Sequence, residues 1–185
     1  MRVFWPVTIA AALLIGLLAY GLVSKGADTT LDSAVARGDR PAAPELSLPR
    51  LQQGGSASLA DYKGKVVLIN FWYPSCGPCR GEFPTLQRVL DKYQDRGFAI
   101  LSLNVLPEEK DFVMPYLTRN GFTFRPLETT TDWAEKTYGA RGFPTNLLVD
   151  GDGRIIFKPG IIRSPREQRT FELQIESLLP PRSRQ

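Results

Sequence analysis

The chain has 185 residues, of which 43% are apolar and 23% are charged, as in an ordinary globular protein. Its net charge is +4, but residues 1–27 hold two basic residues and no acidic one, so the remainder carries only +2. This balance, without a dense Lys/Arg cluster beside aromatic residues, gives no indication of nucleic-acid binding. The chain has no His, which excludes Ser-His-Asp and Cys-His hydrolases, haem ligation by His and most catalytic zinc sites.

The N-terminus carries a membrane signal. An uncharged run of 22 residues, 3–24, lies between Arg2 and Lys25. As a helix this run would be about 33 Å long, enough to cross the hydrocarbon core of a bilayer. We predict an uncleaved single-pass anchor in residues 1–25, with the N-terminus inside and the catalytic domain outside the bacterial cytoplasmic membrane. A cleaved signal peptide is the alternative, although the run exceeds the usual ~7–15 apolar residues.

The next segment and the domain boundaries follow from composition. Residues 26–44 are polar and rich in Ala and Gly, without apolar periodicity, which predicts a flexible linker. We place a single domain at 45–180 and a short tail at 181–185. Alternating residues at 45–49 and 57–59 predict an N-terminal β-hairpin at the start of the domain.

The centre of the domain is a strand followed by a pair of cysteines. Residues 65–72 form a nearly continuous apolar run, which predicts a strand covered on both faces. Cys76-Gly77-Pro78-Cys79, with the only two cysteines in the chain, stands where this strand gives way to a helix that contains Pro84 and ends at Gly97. Free N–H groups and the positive end of the helix dipole would stabilise a thiolate on Cys76. The second sulfur, one helical turn away, could resolve a mixed disulfide formed on the first.

Other interpretations of the pair are less consistent with the sequence. Half of a zinc site would need further ligands, and the chain has no His and no third Cys. Two buried apolar cysteines do not suit Gly77-Pro78, which indicates an exposed junction. A purely structural disulfide remains open. We therefore predict a redox-active pair with no other cofactor and no metal.

The rest of the chain alternates between strands and helices. The patterns predict a strand at 98–104, a helix at 107–120, an extended piece at 122–127, a helix at 132–138, a hairpin of 145–149 and 154–158, and a last helix opening at Ser164-Pro165. This order predicts an α/β domain with a mixed β-sheet flanked by helices.

Two segments together resemble a known superfamily. They are Phe71-Trp72…Cys76-Gly77-Pro78-Cys79-Arg80…Glu82-Phe83-Pro84 and Gly142-Phe143-Pro144-Thr145. The combination resembles the thioredoxin superfamily and, more narrowly, the membrane-anchored TlpA/ResA-like thiol-disulfide oxidoreductases of bacteria. The resemblance covers about residues 44–180 and implies a thioredoxin-like fold with a central strand–helix insertion.

The resemblance assigns roles to four residues. Cys76 would be the attacking thiol and Cys79 the resolving thiol. Pro144 would be a cis-proline that faces the pair. Phe143, just before it, would present backbone groups to an extended segment of the substrate, as in strand addition.

Residues beside the cysteines would shape the surface or tune the potential. Trp72 and Tyr73 would line an apolar rim, although aromatic residues at a strand end often belong to the core. Many relatives have Trp where this chain has Ser75, so the surface beside the nucleophile is smaller and more polar here. Gly77 and Pro78 form the dipeptide of strongly reducing thioredoxins, which favours a reductase.

A proton acceptor for Cys79 is less obvious. Thioredoxins proper have a buried Asp where this chain has Asn70, and Asn cannot take a proton. Glu82, Glu108 and Glu109 could each tune a thiol pKa, but a solvated carboxylate on a helix surface is the favoured interpretation for each.

The resemblance also implies partners. A monomeric reductase outside the cytoplasm would act on protein thiols and disulfides, such as apocytochrome c cysteines in cytochrome c-type biogenesis or a copper-site protein, and would need an upstream membrane thiol donor. The rival functions are a redox-gated binding module for Cu(I) and a thiol peroxidase. The peroxidase is disfavoured because Tyr73 stands where that class has Thr.

Overall fold

The structure, a computed structural model, describes residues 31–36, 38–52 and 54–180. Seven strands are present in this part of the chain: β1 (Ser47–Pro49), β2 (Ser56–Ser58), β3 (Val66–Trp72), β4 (Phe98–Asn104), β5 (Arg125–Glu128), β6 (Thr145–Val149) and β7 (Ile155–Phe157). The first two form an antiparallel hairpin, as predicted. The other five form one sheet in the order β5-β4-β3-β6-β7. In it, β3, β4 and β5 are parallel, and β6 is antiparallel to both β3 and β7.

Helices cover both faces of this mixed sheet, which confirms the predicted thioredoxin-like architecture. They are α1 (Leu31–Ala36), α2 (Gly77–Tyr93), α3 (Lys110–Arg119), α4 (Thr131–Tyr138) and α5 (Pro165–Leu178). One apolar core lies between the sheet and α2, α3 and α5, and the other includes residues of α4 and of the hairpin. All seven residues of β3 are buried, as expected for a strand covered on both faces.

Helix α2 begins at Gly77, so the cysteine pair lies at the start of the helix, as the sequence predicts. Cys76 is its N-cap residue, and Pro78 lies in the first turn, where the missing N–H of proline costs nothing. The helix ends at Tyr93, and a 3-10 turn then leads to Gly97, which has a φ of +96°. Cys76 thus caps the helix and Cys79 lies in its first turn.

The segment predicted to be a flexible linker is partly folded. It contains α1, and residues 41–43 lie along residues 153–155, at the start of the edge strand β7. Ala43 N–H donates to the Gly153 carbonyl at 2.8 Å, and Ile155 N–H donates to the Pro41 carbonyl at 2.9 Å. The physical reason is that an edge strand has unpaired backbone groups, which this segment satisfies.

The predicted anchor at 3–24 and the tail at 181–185 lie outside the described residues. Within the described ranges, no helix combines the length and the apolar character that a membrane span needs.

Candidate active site

The two cysteines lie at the carboxyl end of β3, at the start of α2. They form a disulfide, with their Cα atoms 5.3 Å apart. Cys79 N–H donates to Cys76 Sγ at 3.2 Å, so a backbone donor of the helix N-terminus points at the first sulfur. Cys76 is 4% exposed and Cys79 is 0% exposed. The junction is therefore less exposed than Gly77-Pro78 suggests, although Gly77 and Pro78 themselves are exposed.

The segment before β6 packs against the disulfide. The Phe143–Pro144 peptide bond is cis, as the resemblance predicts. The Phe143 carbonyl oxygen lies 3.7 Å from Cys76 Sγ, which brings a backbone acceptor next to the first sulfur. The rings of Phe143 and Tyr73 meet edge to face, with their centroids 5.7 Å apart, and both side chains are half-buried. These two rings form an apolar rim beside Cys76.

Trp72 does not belong to this rim. Its side chain is fully buried and packs against Phe83 of α2, with ring centroids 4.6 Å apart. Its indole N–H donates to Ser102 Oγ at 2.7 Å. The prediction that Trp72 lines the rim is wrong, because the last residue of β3 is still covered by α2 and its ring points into the core.

Ser75, the residue before Cys76, is hydrogen-bonded to Glu109. Ser75 N–H donates to the Glu109 carboxylate at 2.7 Å, and Ser75 Oγ donates to the other carboxylate oxygen at 2.5 Å. Glu109, which is half-buried, therefore holds the turn that carries Cys76 and is more than a surface carboxylate. Glu108, its neighbour, is exposed, as predicted.

The carboxyl group of Glu82 is buried beneath the cysteine pair. Its side chain is 0% exposed, so the interpretation as a solvated surface carboxylate is wrong. Glu82 lies three residues after Cys79 on the buried face of α2, which brings the two Cβ atoms to within about 5–6 Å. Burial raises the pKa of Glu82 from 4.5 to about 7, while hydrogen bonds from Ile162, Asn146 and Asn70 oppose this rise. A carboxyl group that titrates near neutrality thus lies next to the second cysteine.

The donors around Glu82 come from three different parts of the chain. Asn70 Nδ2 donates to Glu82 Oε1 at 2.9 Å, and Ile162 N–H donates to Oε2 at 3.1 Å. Asn146 Nδ2 donates to both oxygens, at 3.2 and 3.0 Å. Asn146 and Ile162 are not among the site residues predicted from the sequence. A polar residue inside the apolar strand β6 was a signal for the first, whereas Ile162 acts through its backbone and gave none.

The disulfide is the reactive group of this site. Among the residues that the structure describes, no cluster of three or more His, Cys, Asp or Glu side chains could hold a metal ion. A cavity of about 470 Å³ is lined by Leu46, Tyr62 and Val67, among others, at the opposite end of β3 from the cysteines. The disulfide and its apolar rim, not that cavity, carry the chemistry.

Comparisons with known proteins agree with this geometry. The AhpC/TSA family matches residues 40–170. The thiol-disulfide oxidoreductase ResA of Geobacillus thermodenitrificans (strain NG80-2) is 32% identical over 173 residues, which cover 94% of each chain. ResA of Geobacillus kaustophilus (strain HTA426) is 33% identical over 170 residues, 92% of this chain and 94% of the relative. A DsbF homologue from Corynebacterium diphtheriae, a solved structure, has a TM-score of 0.65 and 29% identity, covering 76% of this chain and 88% of that one. The chain therefore belongs to the AhpC/TSA family and, within the thioredoxin superfamily, is a thiol-disulfide oxidoreductase of the ResA-like group.

Proposed function

We propose that this enzyme reduces disulfides of other proteins on the outer side of the bacterial cytoplasmic membrane, with Cys76 as the attacking thiol and Cys79 as the resolving thiol. The observation that carries the proposal is the asymmetry of the pair. Cys76 is the helix N-cap, receives the N–H of Cys79 and has some exposed surface, whereas Cys79 is fully buried beside Glu82. The donor that now points at Cys76 Sγ would stabilise its thiolate in the reduced enzyme.

The exchange proceeds in two steps. In the reduced enzyme, the Cys76 thiolate attacks one sulfur of the substrate disulfide, forms a mixed disulfide and releases the other sulfur as a thiolate, which takes a proton from water. Cys79 then attacks Cys76 Sγ, the bond from Cys76 to the substrate breaks, and the second substrate sulfur leaves. Two electrons pass from the Cys76–Cys79 dithiol to the substrate disulfide.

Glu82 is the proton acceptor for the second step. The Cys79 thiol must lose its proton before it attacks, and Asn70 cannot take it. Glu82 is one helical turn from Cys79. Because burial raises the pKa of Glu82 to about 7, a substantial fraction of the group is ionised at neutral pH and still binds a proton well.

The reducing direction rests on the dipeptide between the cysteines. Gly77-Pro78 is typical of thioredoxin, whose potential is about −270 mV, against about −120 mV for a strong oxidant. Outside the cytoplasm such an enzyme needs electrons, which points to an upstream membrane thiol carrier. The uncharged run at 3–24 supports an anchor with the N-terminus inside. Apocytochrome c cysteines and a copper-site protein are the proposed substrate classes.

Two substitutions test the roles of the cysteines. Cys76→Ser should abolish the reduction of insulin disulfides, because it removes the attacking thiolate. Cys79→Ser should instead accumulate mixed disulfides on Cys76, and mass spectrometry of partners captured in cells identifies the substrates. Equal residual activity in the two variants would contradict the assignment. A reduction potential well above about −200 mV, measured against glutathione, would contradict the reductase direction.

A further inference from the structure

A buried amide links the strand that follows the cis-proline to the redox helix. Asn146 lies on β6, two residues after Pro144, and directly opposite Asn70 of β3 in the antiparallel register. Asn146 is 2% exposed and Asn70 is 1% exposed. A buried amide in a strand interior is costly unless its polar atoms have partners, so the partners of Asn146 indicate what holds it there.

Asn146 contacts three other elements. Its Oδ1 accepts a hydrogen bond from Asn70 Nδ2 at 2.7 Å. Its Nδ2 donates to both oxygens of Glu82, at 3.2 and 3.0 Å, and to the Gly160 carbonyl at 3.3 Å. Asn146 therefore joins β3, α2 and the segment after β7 at a single carboxyl group.

The balance between the ionised and protonated forms of Glu82 depends on the hydrogen-bond donors around its oxygens. An ionised carboxylate only accepts hydrogen bonds, so donors on both of its oxygens favour the ionised form. Burial favours the protonated form and is the larger effect, which leaves the pKa of Glu82 at about 7. The charged group that acts on Glu82 from the segment after β7 is Arg163, which also favours ionisation. Cys79, on the same helix face, titrates when the disulfide is reduced. The strands β3 and β6 contribute the neutral amides of Asn70 and Asn146.

We propose that Asn146 is a positioning residue for the chemistry of Cys79, because it fixes the Glu82 carboxyl group as the acceptor of the Cys79 proton. This inference rests on the proposed role of Glu82. In the resolving step the Cys79 proton passes to Glu82, the S–S bond between Cys79 and Cys76 forms, the bond from Cys76 to the substrate breaks, and the substrate sulfur leaves as a thiolate that takes a proton from water. Asn146 contributes by keeping Glu82 ionised beforehand.

The direct test follows the ionisation of Glu82 itself. Oxidised protein labelled with ¹³C in its glutamate side chains is titrated by NMR, and Glu82→Gln identifies the resonance. We expect a midpoint near 7 in the unsubstituted protein. In Asn146→Leu the loss of donors should raise that midpoint by about one pH unit or more, a tenfold change in proton affinity. The control is Asn104→Leu, the same change at a buried Asn on β4 that donates to Leu106, and it should leave the midpoint unchanged.

A second variant covers the case in which Asn146→Leu does not fold. Asn146→Thr keeps one hydroxyl donor and a side chain suited to a strand, so its midpoint should lie between the other two. The reaction is measured by mixing reduced enzyme with a fluorescent disulfide peptide in a stopped-flow instrument. The pH dependence of peptide release should move with the midpoint of Glu82.

The experiments separate failure of the role of Asn146 from failure of the role of Glu82. A Glu82 midpoint that stays unchanged in the Asn146 variants overturns the role of Asn146, whatever the function of Glu82. In the other case, the Glu82 midpoint moves in the Asn146 variants while the pH dependence of peptide release stays the same, both in these variants and in Glu82→Gln. That result overturns both the role of Asn146 and the role of Glu82 as proton acceptor. The assignment of Cys76 and Cys79 is tested separately by their Ser variants and survives either result.

Discussion

A single buried carboxyl group makes the stability of this fold depend on pH. The pKa of Glu82 is about 7 in the folded protein, against an ordinary value of 4.5 that applies to the unfolded chain. The folded state thus binds the proton more tightly than the unfolded state does. The stabilisation from the protonated form is fully present below pH 4.5, decreases as the pH rises, and is lost above about pH 7.

Glu82→Gln should remove this pH dependence. The difference in pKa corresponds to about 3 kcal/mol between the two ends of the range. We expect the free energy of unfolding of the oxidised enzyme, measured with urea, to fall by up to about this amount more in the unsubstituted protein than in Glu82→Gln between pH 4.5 and pH 8. Glu108→Gln, the same change at an exposed position, is the control and should retain the dependence. Parallel curves for the unsubstituted protein and Glu82→Gln would show that Glu82 titrates normally.

At the scale of elements, the turn that carries Cys76 is held by the start of another helix. Glu109 precedes α3, and its carboxylate binds both the N–H and the hydroxyl of Ser75. A negative charge is thereby placed next to Ser75, the residue before Cys76. Such a charge disfavours a thiolate on Cys76 and opposes the effect of the helix N-terminus.

Glu109→Gln should therefore make Cys76 more reactive. The variant keeps an oxygen that can accept from Ser75 but removes the charge. In the reduced enzyme at pH 6 we expect alkylation of the Cys76 thiolate by iodoacetamide to be roughly twofold to fivefold faster, because one nearby, partly screened negative charge has been removed. Glu108→Gln changes the net charge equally one residue away, at an exposed side chain, and should have a much smaller effect. The same increase in both variants would assign the effect to overall charge, and a slower reaction in Glu109→Gln would show that ordering of the turn is more important.

Across the whole molecule, local patterns predicted the elements well, and long-range contacts explain what they missed. The strand β3 and the helix start at Cys76 follow from a continuous apolar run and from capping, which involve near neighbours in sequence. Asn146 instead binds Asn70, 76 residues away, so its role appears only once β3 and β6 are paired. The burial of Glu82 could have been suspected, because it occupies an apolar-face position of α2, but its donors come from strands and a segment that periodicity does not bring together.

The predicted linker at 26–44 also makes long-range contacts that local sequence patterns do not reveal. Its composition predicts a linker, yet residues 41–43 lie along residues 153–155, at the start of the edge strand β7. Ala43→Pro removes the N–H that donates to the Gly153 carbonyl and should lower the free energy of unfolding by about 1 kcal/mol. Ala42→Pro is the matched control. Ala42 and Arg154 form the bridge between two flanking hydrogen bonds, so the N–H of Ala42 points away from β7 and its loss should cost little.

Hydrogen exchange at Ile155 N–H reports on the same contact, because its acceptor is the Pro41 carbonyl. Faster exchange in Ala43→Pro than in Ala42→Pro would show that the segment at 41–43 is an integral part of the sheet edge. The flexible part of the predicted linker would then end before residue 41. Equal exchange and equal stability in the two variants would instead mean that residues 41–43 contribute nothing to the stability of the fold.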